Sequence, residues 1–184
     1  MYSIWQGDRV RLRAVEPEDW EVFASWRHDT EMARLGHCIE FPASREMIKH
    51  WTTSGATTHP ENDCFRFVIE NQDDTLVGTI NTHGCERRHG TFKYGIAIGR
   101  EHRRKGYAAD AIRILLRYFF FELGHQKVTV DVYAFNTTSI TLHERLGFQH
   151  EGRLRRLIRS EGALHDVHVF GMTVEEFETK WEGQ

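Results

Sequence analysis

Residues 103–109 read Arg103-Arg104-Lys105-Gly106-Tyr107-Ala108-Ala109, a run of cations followed by mostly small residues. An apolar, strand-like segment, Tyr94-Gly95-Ile96-Ala97-Ile98, precedes them, and an apolar helical pattern follows from Ala108 to Leu123. A strand, a basic turn with a glycine and then a helix make a geometry that holds a phosphate. The first N–H groups of a helix lack intrahelical partners, and the helix dipole favours an anion there. Gly106, Ala108 and Ala109 let a ligand come close to the backbone, and Arg103, Arg104 and Lys105 add attracting charge. Farther on, Asn136 precedes Ser139 and His143, which share one face of a helix if one begins at Asn136. A hydroxyl and an imidazole that titrates near neutrality can each give a proton to a leaving group, and the spacing also allows a Ser–His hydrogen bond. The same residues fit plain structural roles, Ser139 as a helix cap and His143 as an exposed helical position. A serine hydrolase is excluded, because no Gly-x-Ser-x-Gly elbow is present.

The elements that must position these residues follow from patterning. Val10, Leu12 and Ala14 alternate with Arg9, Arg11 and Arg13, which predicts a half-buried strand. Glu16-Pro17-Glu18-Asp19 opens a helix with Trp20, Phe23, Ala24 and Arg27 on one side. A second helix follows Pro42, starting at Ser44 with Met47, Ile48 and Trp51 on one face, and 52–63 reads as loop. Strands at 65–69 and 76–80 flank the turn Asn71-Gln72-Asp73-Asp74, and a charged loop at 85–90 leads to a strand at 92–98. Ala108, Ile112, Leu115, Leu116, Phe119 and Leu123 recur at helical spacing until Gly124 stops them. Val128, Val130 and Val132 alternate as a strand, and a short helix after Asn136 ends at Leu146, capped by Gly147. Two strands bracket Ser160-Glu161-Gly162, and an amphipathic tail carries Phe177 and Trp181. Hairpins combined with a strand–helix–strand crossover imply a mixed sheet covered by helices, an α/β or α+β fold. Trp5, Trp20, Trp26, Trp51 and Phe119 to Phe121 are read mainly as packing residues.

The chain has 184 residues, a length that fits a single domain over 1–184. A net charge of −3 supplies no global field that draws it to nucleic acid or membrane. Glu101 and Asp110 flank the basic turn and no aromatics interleave its cations, which argues against a nucleic-acid patch. The apolar stretches are too short to span a bilayer, and the first residues lack a signal peptide's apolar core. Cys38, Cys64 and Cys85 form no CxxC pair and are read as reduced thiols of a cytoplasmic protein. Histidines are numerous but scattered. In the densest cluster, His165-Asp166-Val167-His168, only Asp166 and His168 share a strand face, so no metal is expected.

Arg103-x-x-Gly106-x-Ala108 matches the pattern [Arg/Gln]-x-x-Gly-x-[Gly/Ala], and its context lengthens the match. Val128-x-Val130-x-Val132, Asn136-x-x-Ser139, Leu146-Gly147-Phe148, Glu151-Gly152-x-Leu154-Arg155 and Gly162-x-x-x-Asp166 follow in order. From Val10-Arg11-Leu12-Arg13 to the final helix the series resembles the GNAT superfamily of acyl-CoA N-acyltransferases, in the branch of the ribosomal-protein N-terminal acetyltransferases. The resemblance implies a central mixed, mostly antiparallel sheet flanked by helices, with a splayed cleft for acyl-CoA. It implies acetyl-CoA as cosubstrate, its pyrophosphate cradled by backbone N–H groups from Arg104 to Ala109. The edge Ile96, Ala97, Ile98 would pair with the pantetheine arm, and Asn136 would contact that arm or a nearby water. Ser139 occupies a position where relatives place a serine near the CoA sulfur, and His143 one where many members carry a tyrosine acid. Some relatives have a glutamate a few residues before the Gly-x-x-x-Asp hairpin; here Ile158 stands there, and Glu161 is the nearby acid. Asp131, Tyr133 and His83 are then the base candidates, beside a path with no dedicated base, and Asp166 is structural or substrate-positioning. Trp26, His28, Arg34 and the loop 52–63 lie where relatives shape the acceptor site. The implied activity is acetyl transfer to a primary amine, on a protein N-terminus or a small molecule, by direct attack on the thioester. A non-catalytic acyl-CoA-binding or sensor module on the same fold is the alternative, and relatives occur as monomers or homodimers.

Overall fold

The computed structural model describes residues 3–36 and 39–181. Its strands are β1 (Val10–Arg13), β2 (Arg66–Asn71), β3 (Leu76–Glu86), β4 (Thr91–Ile98), β5 (Lys127–Tyr133), β6 (Gln149–Ser160) and β7 (Ala163–Thr173). The helices are α1 (Trp20–Trp26), α2 (Thr30–Gly36), α3 (Arg45–Thr57), α4 (Tyr107–Arg117), α5 (Thr137–Leu146) and α6 (Val174–Trp181). The seven strands follow the order β1-β2-β3-β4-β5-β7-β6. The described residues divide into two units, 3–82 with Gly95–Leu115, and His83–Tyr94 with 116–181.

In the first unit β1 pairs antiparallel with β2, and β2 with β3. Asn71 shapes the β2–β3 turn: its Oδ1 accepts from the N–H groups of Asp73 at 3.0 Å and Thr75 at 2.9 Å. The core joins Val15, Phe23, Ile48, Val68 and Leu76, with Trp20 and Trp26 packed against it. Three expectations are corrected here, and one helix is added that the sequence reading did not assign. β1 stops at Arg13, so Ala14 is exposed and Val15 takes the buried place. Residues 30–36 form α2, whose start is marked by Asp29 accepting from the Met32 N–H at 3.0 Å. α3 starts at the Ser44 cap as read but continues to Thr57. Its threonine hydroxyls bond back to helix carbonyls, Thr52 to Lys49 at 2.9 Å and Thr57 to Thr53 at 3.2 Å, so a polar composition that resembles loop is helix. Ile48 and Thr52 form its buried face, while Met47 and Trp51 are exposed.

In the second unit β4 pairs parallel with β5 from Thr91↔Lys127 to Lys93↔Thr129. β5 pairs antiparallel with β7, and β7 with β6. The β6–β7 hairpin turns on Glu161 and Gly162, both at positive φ (50° and 79°), a combination that suits the twist of the flanking strands. Phe92, Phe119, Phe120 and Phe177 are buried together, with Phe92 and Phe119 stacked at 4.3 Å. Past α4 the chain makes a π-helical turn at Tyr118–Glu122 before Gly124 reverses it at φ 73°. α5 ends on Gly147 at φ 91°, whose N–H bonds the Glu144 carbonyl.

Candidate active site

The first unit holds the basic loop. After β4 a short 3-10 turn, Arg100–His102, leads to Arg103 in extended conformation. Arg104 and Gly106 then adopt left-handed φ of 63° and 84° before α4 begins. The first i→i−4 bond runs from the Asp110 N–H to the Gly106 carbonyl at 3.2 Å. The amides just ahead of it are the positions a helix leaves without an internal partner. Arg104, Lys105 and Gly106 are exposed, and among the described residues neither cation makes an ion pair. Arg103 is different: its guanidinium turns back to Glu31 on α2 at 2.9 Å and to the Ile98 carbonyl at 3.3 Å. So two of the three cations are available for a ligand, and Arg103 anchors the loop.

Two residues here carried no functional reading in the sequence. Asp110, 7% exposed, accepts from the backbone N–H groups of Arg9 at 2.7 Å and Val10 at 3.0 Å. It ties the first turn of α4 to β1, and a Cβ at Gly7 would meet its Oδ2 at 2.5 Å. The tie brings Arg9 beside the loop, where a Cβ at Gly106 would lie 3.2 Å from Arg9 Nε. The alternation at Val10 and Leu12 marks Arg9 only as the solvent side of a strand, so sequence carried no signal for this contact. Ile96, Ala97 and Ile98 are all half-buried. A Cβ at Gly78 would meet the Ala97 carbonyl oxygen at 2.5 Å, so glycine is what lets β3 lie this close to β4.

The second unit holds the Ser–His pair. Asn136, not Ser139, caps α5: its Oδ1 accepts from the Ser139 N–H at 3.1 Å. Ser139 is half-buried, and His143 is 1% exposed, not an exposed helical position. His143 Nδ1 lies 2.7 Å from the Ser139 carbonyl oxygen and 3.3 Å from Ser139 Oγ. Its Nε2 lies 2.8 Å from the hydroxyl of Tyr94, which is 2% exposed on β4. Phe148 and Phe170 flank the imidazole at 5.1 and 6.1 Å. Burial lowers the His143 pKa below its usual value, partly offset by the Ser139 carbonyl, and burial raises that of Tyr94 well above its own. The sequence reading placed Tyr94 in the strand but assigned it no role at the site, though a tyrosine on the inward face of a strand needs a partner for its hydroxyl.

The base candidates differ in their surroundings. Asp131 is paired with Lys93 at 2.6 Å. The pKa of His83 is lowered by partial burial and then by Lys93. Asp166 accepts from the Arg156 N–H at 2.7 Å and pairs with Arg153. Arg156 sits at φ 55° where β6 slips register between Leu154 and Ile158, so Asp166 holds the bulge. His168 Nδ1 meets His150 Nε2 at 2.9 Å, and among the described residues no His, Cys, Asp or Glu cluster could hold a metal. Cys64 and Cys85 are thiols, and Cys38 lies outside the described residues, as do the first two residues of the N-terminal segment.

Residues 9–149 match the acetyltransferase (GNAT) domain. The chain is 44% identical to the SPbeta prophage-derived uncharacterized N-acetyltransferase YokL of Bacillus subtilis, over 96% of each protein. It is 26% identical to the putative ribosomal N-acetyltransferase YdaF of the same species, over the whole of both. The fold superimposes on the spermidine N-acetyltransferase of Vibrio cholerae in complex with CoA and spermine, with a TM-score of 0.79, 24% identity and coverage of 91% and 97% of the two chains. The domain match spans the strand that anchors the basic loop, the loop itself and the helix that carries Ser139 and His143, and the chain belongs to the GNAT family of N-acetyltransferases.

Proposed function

We propose that this chain transfers the acetyl group of acetyl-CoA to a primary amine, with the 103–109 loop as the pyrophosphate site and Ser139 as the acid. The observation that carries the donor half is the loop backbone. Arg104 and Gly106 turn it through left-handed conformations, and helical bonding begins only at Asp110. Amides ahead of that bond, at the positive end of a helix, suit a diphosphate. Arg104 and Lys105 add exposed charge, and Arg9 lies beside Gly106. Half-buried Ile96, Ala97 and Ile98 suit the amide-bearing pantetheine arm.

In the reaction the neutral amine attacks the thioester carbonyl carbon. A C–N bond forms, the C–S bond breaks, and the sulfur leaves as a thiolate. Ser139 Oγ gives its proton to that sulfur, and the ammonium proton leaves to solvent, which also re-protonates the serine. The acceptor is the amine of a protein N-terminus or of a small molecule. YdaF supports the first by its name, and the Vibrio enzyme with its bound spermine supports the second. Thiol release from acetyl-CoA across a panel of N-terminal peptides, polyamines and amino acids tests both. Turnover on one class is expected; CoA binding without turnover on any amine would make the chain a sensor. Gly106→Val places a β-branched residue at positive φ against Arg9, and calorimetry should show CoA affinity falling roughly tenfold or more, the worth of a charge-assisted hydrogen bond. Unchanged affinity would remove the loop from the pyrophosphate site.

A further inference from the structure

The contacts of His143 fix where its proton sits. A carbonyl oxygen carries no hydrogen, so at 2.7 Å from the Ser139 carbonyl it is Nδ1 that must donate. The opposite tautomer would press two lone pairs together inside the core. With Nδ1 protonated, Nε2 keeps a lone pair, and the Tyr94 hydroxyl at 2.8 Å donates to it. Ser139 Oγ, 3.3 Å from the same Nδ1–H, can only accept there. Its own hydrogen cannot point at the imidazole and must point elsewhere. Burial of the ring favours the neutral form that this pattern requires.

We propose that Tyr94 and His143 are positioning residues that hold Ser139 as an outward hydrogen-bond donor, through the chain Tyr94 O–H to His143 Nε2 and His143 Nδ1–H to Ser139. This rests on the reading of Ser139 as the acid and refines it: His143, which sequence spacing makes a second acid candidate, is removed from that role. Both ring nitrogens are engaged inside the unit, and its one proton is given to a carbonyl. The chain acts in two ways. It fixes the first turn of α5, which Asn136 caps from the other side. It also directs a donor at Ser139 Oγ, and an oxygen that accepts a hydrogen bond donates its own proton more readily. Tyr94 is the distal lock. Its hydroxyl faces Nε2 in a core of Phe148 and Phe170, where an unmatched nitrogen lone pair is costly.

The experiment uses the full-length protein. Nitrogen-15 NMR of the histidine rings, assigned by comparison with His143→Asn, should show His143 as the neutral Nδ1–H tautomer. Ser139→Ala should lower kcat roughly a hundredfold, the low end for a general acid, with the acetyl-CoA KM nearly unchanged. Tyr94→Phe should lower kcat about fivefold, the worth of one buried hydrogen bond, and should cause no further loss in the Ser139→Ala background. His143→Asn, which retains an N–H donor near the Nδ1 position, should recover part of the activity that His143→Leu loses. An Nε2–H or doubly protonated ring, or an equal Tyr94→Phe loss in both backgrounds, would overturn the positioning role alone. Wild-type kcat in Ser139→Ala would instead overturn the acid reading together with the positioning built on it. Circular dichroism of each variant, including the His143→Asn protein used for assignment, separates these outcomes from unfolding, and the tautomer itself is read on the wild-type protein.

Discussion

α4 and α5 both follow a strand, and both must deal with helix amides that have no internal partner. They do so in opposite ways. The residue before α4 is Gly106, which has no side chain to offer, and helical bonding starts at Asp110. The carboxylate in that first turn points back to the amides of Arg9 and Val10. The residue before α5 is Asn136, whose Oδ1 accepts from the Ser139 N–H. One helix start is left open, and the other is closed to hold a side chain. A single residue type ahead of the first turn thus separates a start that can bind an anion from one that can aim a hydroxyl.

The largest expected effect breaks the open end. Asp110→Ala strips two amide donors of their acceptor and loosens α4 from β1, costing about 3 kcal/mol in chemical denaturation. A loss below about 1 kcal/mol would show that the loop does not depend on this tie. Next comes the closed end. Asn136→Ala should cost about 1 kcal/mol, and Asn136→Asp should restore most of it, because either side chain can cap. CoA affinity should hardly change in either variant; a large drop would make Asn136 a ligand contact more than a cap. The smallest effect is a pH dependence at the core of the second unit. Burial holds the His143 pKa below its usual 6.5, so the unfolded chain protonates this ring before the folded protein does. The stability tied to the neutral ring is fully present above about pH 6.5 and drains away as pH falls through the folded value. Denaturation between pH 7.5 and 5 should show that slope, and His143→Asn should flatten it.

The loop and, apart from α2, the order of elements were legible because each rests on local chemistry: alternation, glycine stops, and a basic turn between strand and helix. What stayed hidden were long-range meetings of single residues. Arg9 reads as the solvent side of β1, and only the Asp110 tie brings it to Gly106. His143 reads either as a proton donor or as an exposed helical position, since spacing does not reveal that a Tyr94 hydroxyl waits across the core. The extent of α3 was missed because threonines that favour loops in isolation satisfy their hydroxyls on helix carbonyls here. The roles of Arg103 and Arg104 show the same limit. Adjacent in sequence and alike in charge, one turns to Glu31 and the other stays exposed.

The contrast between the two helix starts can be read directly by amide NMR during a CoA titration. Signals from residues 104–109 should move strongly and gain protection from solvent exchange as the pyrophosphate takes up their N–H groups. The Ser139 amide, already bonded to Asn136, should move far less. Saturable CoA binding that leaves the 104–109 amides unshifted would contradict the assignment of the open helix start to the cosubstrate.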